Sequence, residues 1–210
     1  MRGHEHPMFT HLYRLIASAG EHTNVGTART QVLAEATGKL LIVGLGPGHD
    51  LDHIPEAVTA IVAVEPSASM RESAAPRLQR VRETGTPLQL IDALGEDLPL
   101  PDNSVDSVLL AFVMCSVGDV AAVLAEVRRV AKPGATISVL EHVRAPERTW
   151  MRRAQRVVAP IWPRLTGGCH ADRPTRTHLE AAGFDTRSLV VTKLVNVPPI
   201  APTLMGSLRL

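Results

Sequence analysis

Short apolar runs alternate with amphipathic stretches along most of this chain. The runs at 39–43, 60–64, 87–91, 105–110 and 135–143 predict buried strands. Stretches at 27–37, 67–83 and 120–131 predict helices between them. The clearest is 120–131, where Val120, Val123, Leu124, Val127 and Val130 recur at helical spacing and make one face apolar. Asp119 is placed to cap its start, and Pro133-Gly134 to stop it. Pro76 predicts a kink or break within 67–83. Residues 8–18, 147–158 and 173–182 read as further helices. Residues 184–193 and 202–210 read as a sixth and seventh strand, paired antiparallel at an edge. This alternation predicts an α/β fold with a doubly wound, mostly parallel sheet. With no repeat and no low-complexity linker, it reads as a single domain over 1–210.

Composition narrows the class. Apolar residues are 45% and charged residues 20% of 210, which is enough for a globular core without staples. A net charge of +1 lacks the basic balance of nucleic-acid binders, so no nucleic-acid partner is expected. Cys115 and Cys169 are too few for a disulfide framework and fit a reducing compartment. The longest apolar stretches, such as 40–45, fall far short of the roughly 18 residues that cross a bilayer. His4, Glu5, His6 and Pro7 offer no signal-peptide core. The expectation is a cytoplasmic monomer or homodimer with no transmembrane segment.

The chemistry begins at Leu41-Ile42-Val43-Gly44-Leu45-Gly46-Pro47-Gly48. Glycines at 44, 46 and 48 let backbone approach a ligand where a Cβ would collide. A helix opening beyond them would present free N–H groups to an anionic moiety. A dinucleotide site requires G-x-G-x-x-G, but His49 stands three after Gly46. The G-x-G-x-G spacing favours a nucleoside with a small amino-acid tail over a pyrophosphate. Glu65 ends the second strand, where open α/β sheets face their ligand crevice, and its carboxylate is suited to both hydroxyls of a ribose. Between strands three and four lies the 95–106 segment, GEDLPLPDNSVD. There Gly95 and Glu96 are suited to an adenine edge, and Asp102 to Ser104 to a turn. His49 and His53, with Asp50 and Asp52, have metal-ligand spacing. They follow the glycine loop directly, so no metal site is expected.

Glycine loop, strand-end acid and the 95–106 segment together resemble the class I SAM-dependent methyltransferases (SAM, S-adenosylmethionine). The resemblance runs over about 38–141. It implies a seven-stranded sheet with SAM at the carboxyl ends of the strands. It places Gly44, Gly46 and Gly48 along the methionine moiety and Glu65 on the ribose. Ser67 and Met70 would flank the adenine, Gly95 and Glu96 would touch its edge, and Val113 and Met114 would close over the methionine end. The family's usual acidic residue two before the first glycine is Ile42 here.

The segment 110–184 resembles the alkyl-thiol S-methyltransferase branch. The residues that carry this are the 112–117 run from Phe112 to Val117, Glu141-His142-Val143, Trp150, Gln155, Pro160, Trp162, Gly167-Gly168-Cys169, Arg173, Thr175 and Ala182-Gly183-Phe184. It implies a small-molecule acceptor, a thiol first. A phenol, an amine or a quinone precursor, methylated at oxygen, nitrogen or carbon, remains open, as does a non-catalytic binding protein on the same fold. A thiolate is the attacking species, so His142 is expected to take the proton, with His170 second. Cys115, Cys169, Trp150 and Trp162 are expected at the acceptor, under a cover formed by 144–175. Arg148, Arg152 and Arg156 recur every four residues and predict a solvated helix face. Residues 1–25, with Tyr13 and Asn24, are placed to act as a lid.

Overall fold

The computed structural model describes residues 24–195 and 197–210. Seven strands form one sheet: β1 (Gly38–Val43), β2 (Val58–Val64), β3 (Leu88–Ile91), β4 (Val105–Ala111), β5 (Ala131–His142), β6 (Val190–Lys193) and β7 (Pro202–Arg209). Their order is β3-β2-β1-β4-β5-β7-β6. The first five in that order are parallel, while β7 runs antiparallel to both β5 and β6. The helices are α1 (Asn24–Leu33), α2 (Ala68–Glu83), α3 (Val120–Val130), α4 (Trp150–Val158), α5 (Trp162–Leu165) and α6 (Thr175–Ala181).

Strand periodicity sorts the core into two layers. In β1, Leu41 and Val43 join the cluster that holds Val123, Leu124 and Val127 of α3. Leu40 and Ile42 face the other way, toward Val32 and Leu33 of α1 and Ala74 and Leu78 of α2. Two-residue alternation forces this division, because successive Cβ atoms leave opposite faces of a sheet. Ile42 is therefore committed to the core at 1% exposure. The α3 periodicity is realised in full: its five apolar residues are all buried, and the Asp119 carboxylate accepts from the Ala121 and Ala122 N–H groups.

Several boundaries differ from expectation. Pro76 does not break α2, which runs unbroken through it. Its missing N–H would have met the Glu72 carbonyl, and both residues lie on the exposed side of the helix, where an unpaired carbonyl costs little. Pro133-Gly134 does not end α3, since β5 begins at Ala131 directly after Val130. The pair sits instead in a bulge, where β5 advances from Ala131 to Thr136 while β4 advances only from Val105 to Ser107. The sixth strand is short: Phe184 and Leu189 are buried outside it, and Arg176 donates to the Thr186 and Leu189 carbonyls. The glycine loop opens onto a five-residue 3₁₀ turn, His49–His53, rather than an α-helix. The expected helix at 8–18, and Tyr13, lie outside the described residues.

Winding reverses between β1 and β4, and a crevice opens beyond their carboxyl ends at that switch point.

Candidate active site

A cavity of about 430 Å³ fills the crevice. Gly44, Gly46, Glu65, Ser67, Met70, Gly95 and Glu96 line one part, with Val113, Cys115, His142 and Cys169 also in its wall. Residues far apart in the chain thus converge, because parallel strands deliver their ends to one edge.

The glycine loop leaves β1 with Gly44 at φ 71 and Gly46 at φ 54, a region that side chains disfavour. A Cβ on Gly46 would meet nothing within 4 Å, whereas one on Gly44 would lie 2.6 Å from Val113 Cγ2. Glu65 is buried at 7% exposure. Its Oε2 accepts from Gly46 N–H at 2.8 Å and its Oε1 from Ser67 N–H at 2.9 Å. One carboxylate thus ties the β1 loop to the β2 loop while lining the cavity. Ser67 caps α2 by accepting from Met70 N–H.

The GEDLPLPDNSVD segment is braced from α3. Arg129 donates to the Leu98 and Leu100 carbonyls and to Asp102, and Glu126 accepts from Leu98 N–H. Glu96 Oε1 in turn accepts from Gly118 and Asp119 N–H groups, so this loop closes onto the one after β4.

Beyond β4 the chain turns sharply at Phe112, a non-glycine residue at φ 54. The turn folds 113–115 over Glu141, whose carboxylate accepts from Val113, Met114 and Cys115 N–H groups at 2.8, 2.7 and 3.2 Å. Burial drives the Glu141 pKa up, with Cys115 adding to it, and the three N–H donors oppose that shift. Arg173 donates to the Met114 and Val117 carbonyls, and His170 N–H donates to the Cys115 carbonyl. The Cys115 thiol is pushed to higher pKa, first by the Cys169 thiol beside it and then by burial. His142 Nδ1 stands 4.0 Å from Cys115 Sγ and 3.7 Å from Cys169 Sγ. Its ring centroid lies 4.6 Å from that of Phe112.

Some expected residues fall elsewhere. Gly48 lies off the cavity, and a Cβ there would press on Ala74 and Leu51, so it serves loop packing. Met114 is fully buried in the core and contributes its N–H to Glu141. Trp150 is 62% exposed at the start of α4 and does not line this cavity. Trp162 packs behind the cysteines with Ala171 and Ile200. His170 is exposed, and it is its backbone that reaches Cys115. Asn24 donates to the Leu194 carbonyl at 3.5 Å. The arginines do not share a solvated face: Arg148 precedes α4, while Arg152 is buried and paired with Glu147 and Asp172.

The sequence reading missed Arg29 and Asp50, a buried ion pair that lines the cavity. Arg29 carries no local motif, and Asp50 drew notice only beside His49. It also missed Glu141 as the brace of the 113–115 turn.

Residues 41–139 match the methyltransferase domain family. Over 80% of its length the chain is 32% identical to thiol S-methyltransferase TMT1B of Rattus norvegicus, covering 68% of that protein. It is also 32% identical to human thiol S-methyltransferase TMT1A, over 76% of this chain and 66% of that one. The chain belongs to the class I SAM-dependent methyltransferase family. It spans about two thirds of the length of these relatives. Among solved structures, a SAM-dependent methyltransferase of Thermotoga maritima, described as a possible histamine N-methyltransferase, superposes with a TM-score of 0.66. That match covers 95% of this chain and 91% of the other at 21% identity, and it speaks for the fold. The cofactor of this methyltransferase is SAM. The open space above Gly46 and the buried Glu65 carboxylate suit a nucleoside with an amino-acid tail.

Proposed function

We propose that this methyltransferase acts on the sulfur of a small thiol. The observation that carries the reading is the cavity's composition: it joins the Gly44–Gly46–Glu65 region to Cys115, His142 and Cys169 within one space. The likeness to thiol S-methyltransferases supports it.

In this reading Gly44 and Gly46 admit the methionine part of SAM, Glu65 holds the ribose, and Ser67 and Met70 flank the adenine. Gly95 and Glu96 meet its edge, and Val113 closes over the methionine end. When bound, SAM supplies an electrophilic methyl group. The residues around His142 receive the acceptor, and Thr166 to Cys169, within the 144–175 cover, form its outer wall. A free thiol has a pKa of about 8.5, so only a few per cent is thiolate at neutral pH. The acceptor therefore has to shed its proton beside His142. Fixing both reactants in one enclosed space is worth on the order of 7 kcal/mol of the barrier in favourable cases.

The test is a panel of small thiols, phenols, amines and quinone precursors with isotopically labelled SAM. Labelled thioether is the expected product. Turnover confined to oxygen, nitrogen or carbon acceptors overturns the thiol reading.

A further inference from the structure

Cys115, His142 and Cys169 come from three separate elements: the turn after β4, the end of β5 and the loop after α5. Their donor atoms lie within 4.8 Å of one another. Around a tetrahedral Zn²⁺, bond lengths of about 2.3 Å to sulfur and 2.0–2.1 Å to nitrogen set S···N separations of about 3.6 Å. The two separations here, 4.0 and 3.7 Å, need only small side-chain adjustments to reach that value. All three residues also line the cavity.

We propose that Cys115, His142 and Cys169 form a three-ligand site for a zinc-type divalent cation, with its fourth position open to the cavity and taken by the acceptor's thiolate. Two thiolates and one imidazole are a soft donor set that zinc accepts, and three protein ligands with an open position are the pattern of catalytic rather than structural zinc. The ligands are held by their surroundings. Glu141 fixes the Cys115 backbone, His170 N–H grips the Cys115 carbonyl, and Phe112 packs on the His142 ring. Such outer contacts orient metal ligands.

The metal site itself is independent of the acceptor's identity, whereas the occupant of the fourth position rests on the thiol reading above. On coordination the acceptor's S–H bond breaks, its proton passes to solvent, and its electron pair is held by the cation. Methyl transfer then forms the S–CH₃ bond from that sulfur as the methyl–sulfonium bond breaks, its pair remaining on the departing sulfur of SAM. The neutral thioether formed is a poorer ligand and leaves. His142 acts here as a ligand.

The full chain, reduced and stripped with a chelator, is titrated with Zn²⁺ and with Co²⁺. The expected result is one metal per chain and a thiolate-to-cobalt charge-transfer absorption. Cys169→Ser and His142→Gln should each weaken binding about a hundredfold or more, with circular dichroism checking that they fold. Absence of the cobalt–thiolate absorption in the wild-type chain overturns the site even if both variants fail to fold. So does a Cys115–Cys169 disulfide that persists after reduction. Adding 2-mercaptoethanol should shift the cobalt spectrum. A shift, while no thiol of the panel yields labelled thioether, leaves the metal site standing and removes the thiol reading. Thioether formed at an unchanged rate by the metal-free chain upholds the thiol reading and overturns the cation's part in it.

Discussion

Glu65 shows how one side chain ties two loops together and still lines a cavity. Each of its oxygens accepts a loop N–H, yet the carboxylate lines the cavity. Glu65→Gln presents an amide donor to one of those N–H groups. Calorimetry should show SAM binding about 10–100-fold weaker, the scale of a lost charged hydrogen bond; unchanged affinity would remove Glu65 from the cofactor site. Gly46→Ala should cost on the order of 1 kcal/mol for its positive φ. Since its methyl would enter open space within the site, SAM affinity should fall further than stability does. His49 is held near pKa 4, first by burial and then by Arg77 and Arg29. Its folded pKa lies below its unfolded value, so the neutral ring's contribution is complete above about pH 6.5. It is lost as pH falls from there toward about 4. Denaturant midpoints should decline across that window, and His49→Gln should flatten the decline.

At the scale of elements, α3 is a stabilising plate under the central strands. Leu124 is fully buried there, and Leu124→Ala should lower unfolding free energy by about 2–5 kcal/mol, read from chemical denaturation. The 144–175 segment is fastened differently, by buried Gln155. Its amide donates to the Val143, Ala171 and Pro199 carbonyls, and its carbonyl accepts from Ala145 N–H. Gln155→Ala leaves those groups unpaired, so a loss of about 2–3 kcal/mol is expected. Turnover should fall with it, because the Ala171 carbonyl belongs to the loop that carries Cys169. A melting temperature equal to wild type would contradict this. The α3 capping and apolar stripe were legible because both are local patterns. The fate of Pro133-Gly134 was not, since pairing with β4 decides where the bulge forms.

For the whole molecule, the sheet order sets both stability and site. β1, β4 and β5 are flanked by strands on both sides, whereas β6 is a four-residue edge strand with Val190 and Val191 exposed. Amide hydrogen exchange should be slowest in β1, β4 and β5 and much faster in β6; uniform protection would argue against this sheet order. Among the described residues no helix is long and apolar enough to cross a membrane.

Local patterning was enough to establish the α/β class, the glycine turn after β1 and the acid that follows β2, because strand alternation, helical period and positive-φ glycines are properties of neighbouring residues. The resemblance implied a shared acceptor region for Cys115, His142 and Cys169, but only tertiary structure brought their donor atoms within 4.8 Å of one another, each cysteine being 27 residues from the histidine. Tertiary structure also set Arg29 against Asp50, buried Arg152 and left Trp150 exposed. Those outcomes depend on how loops close at the ends of parallel strands, and residue spacing along the chain carries no record of that closure.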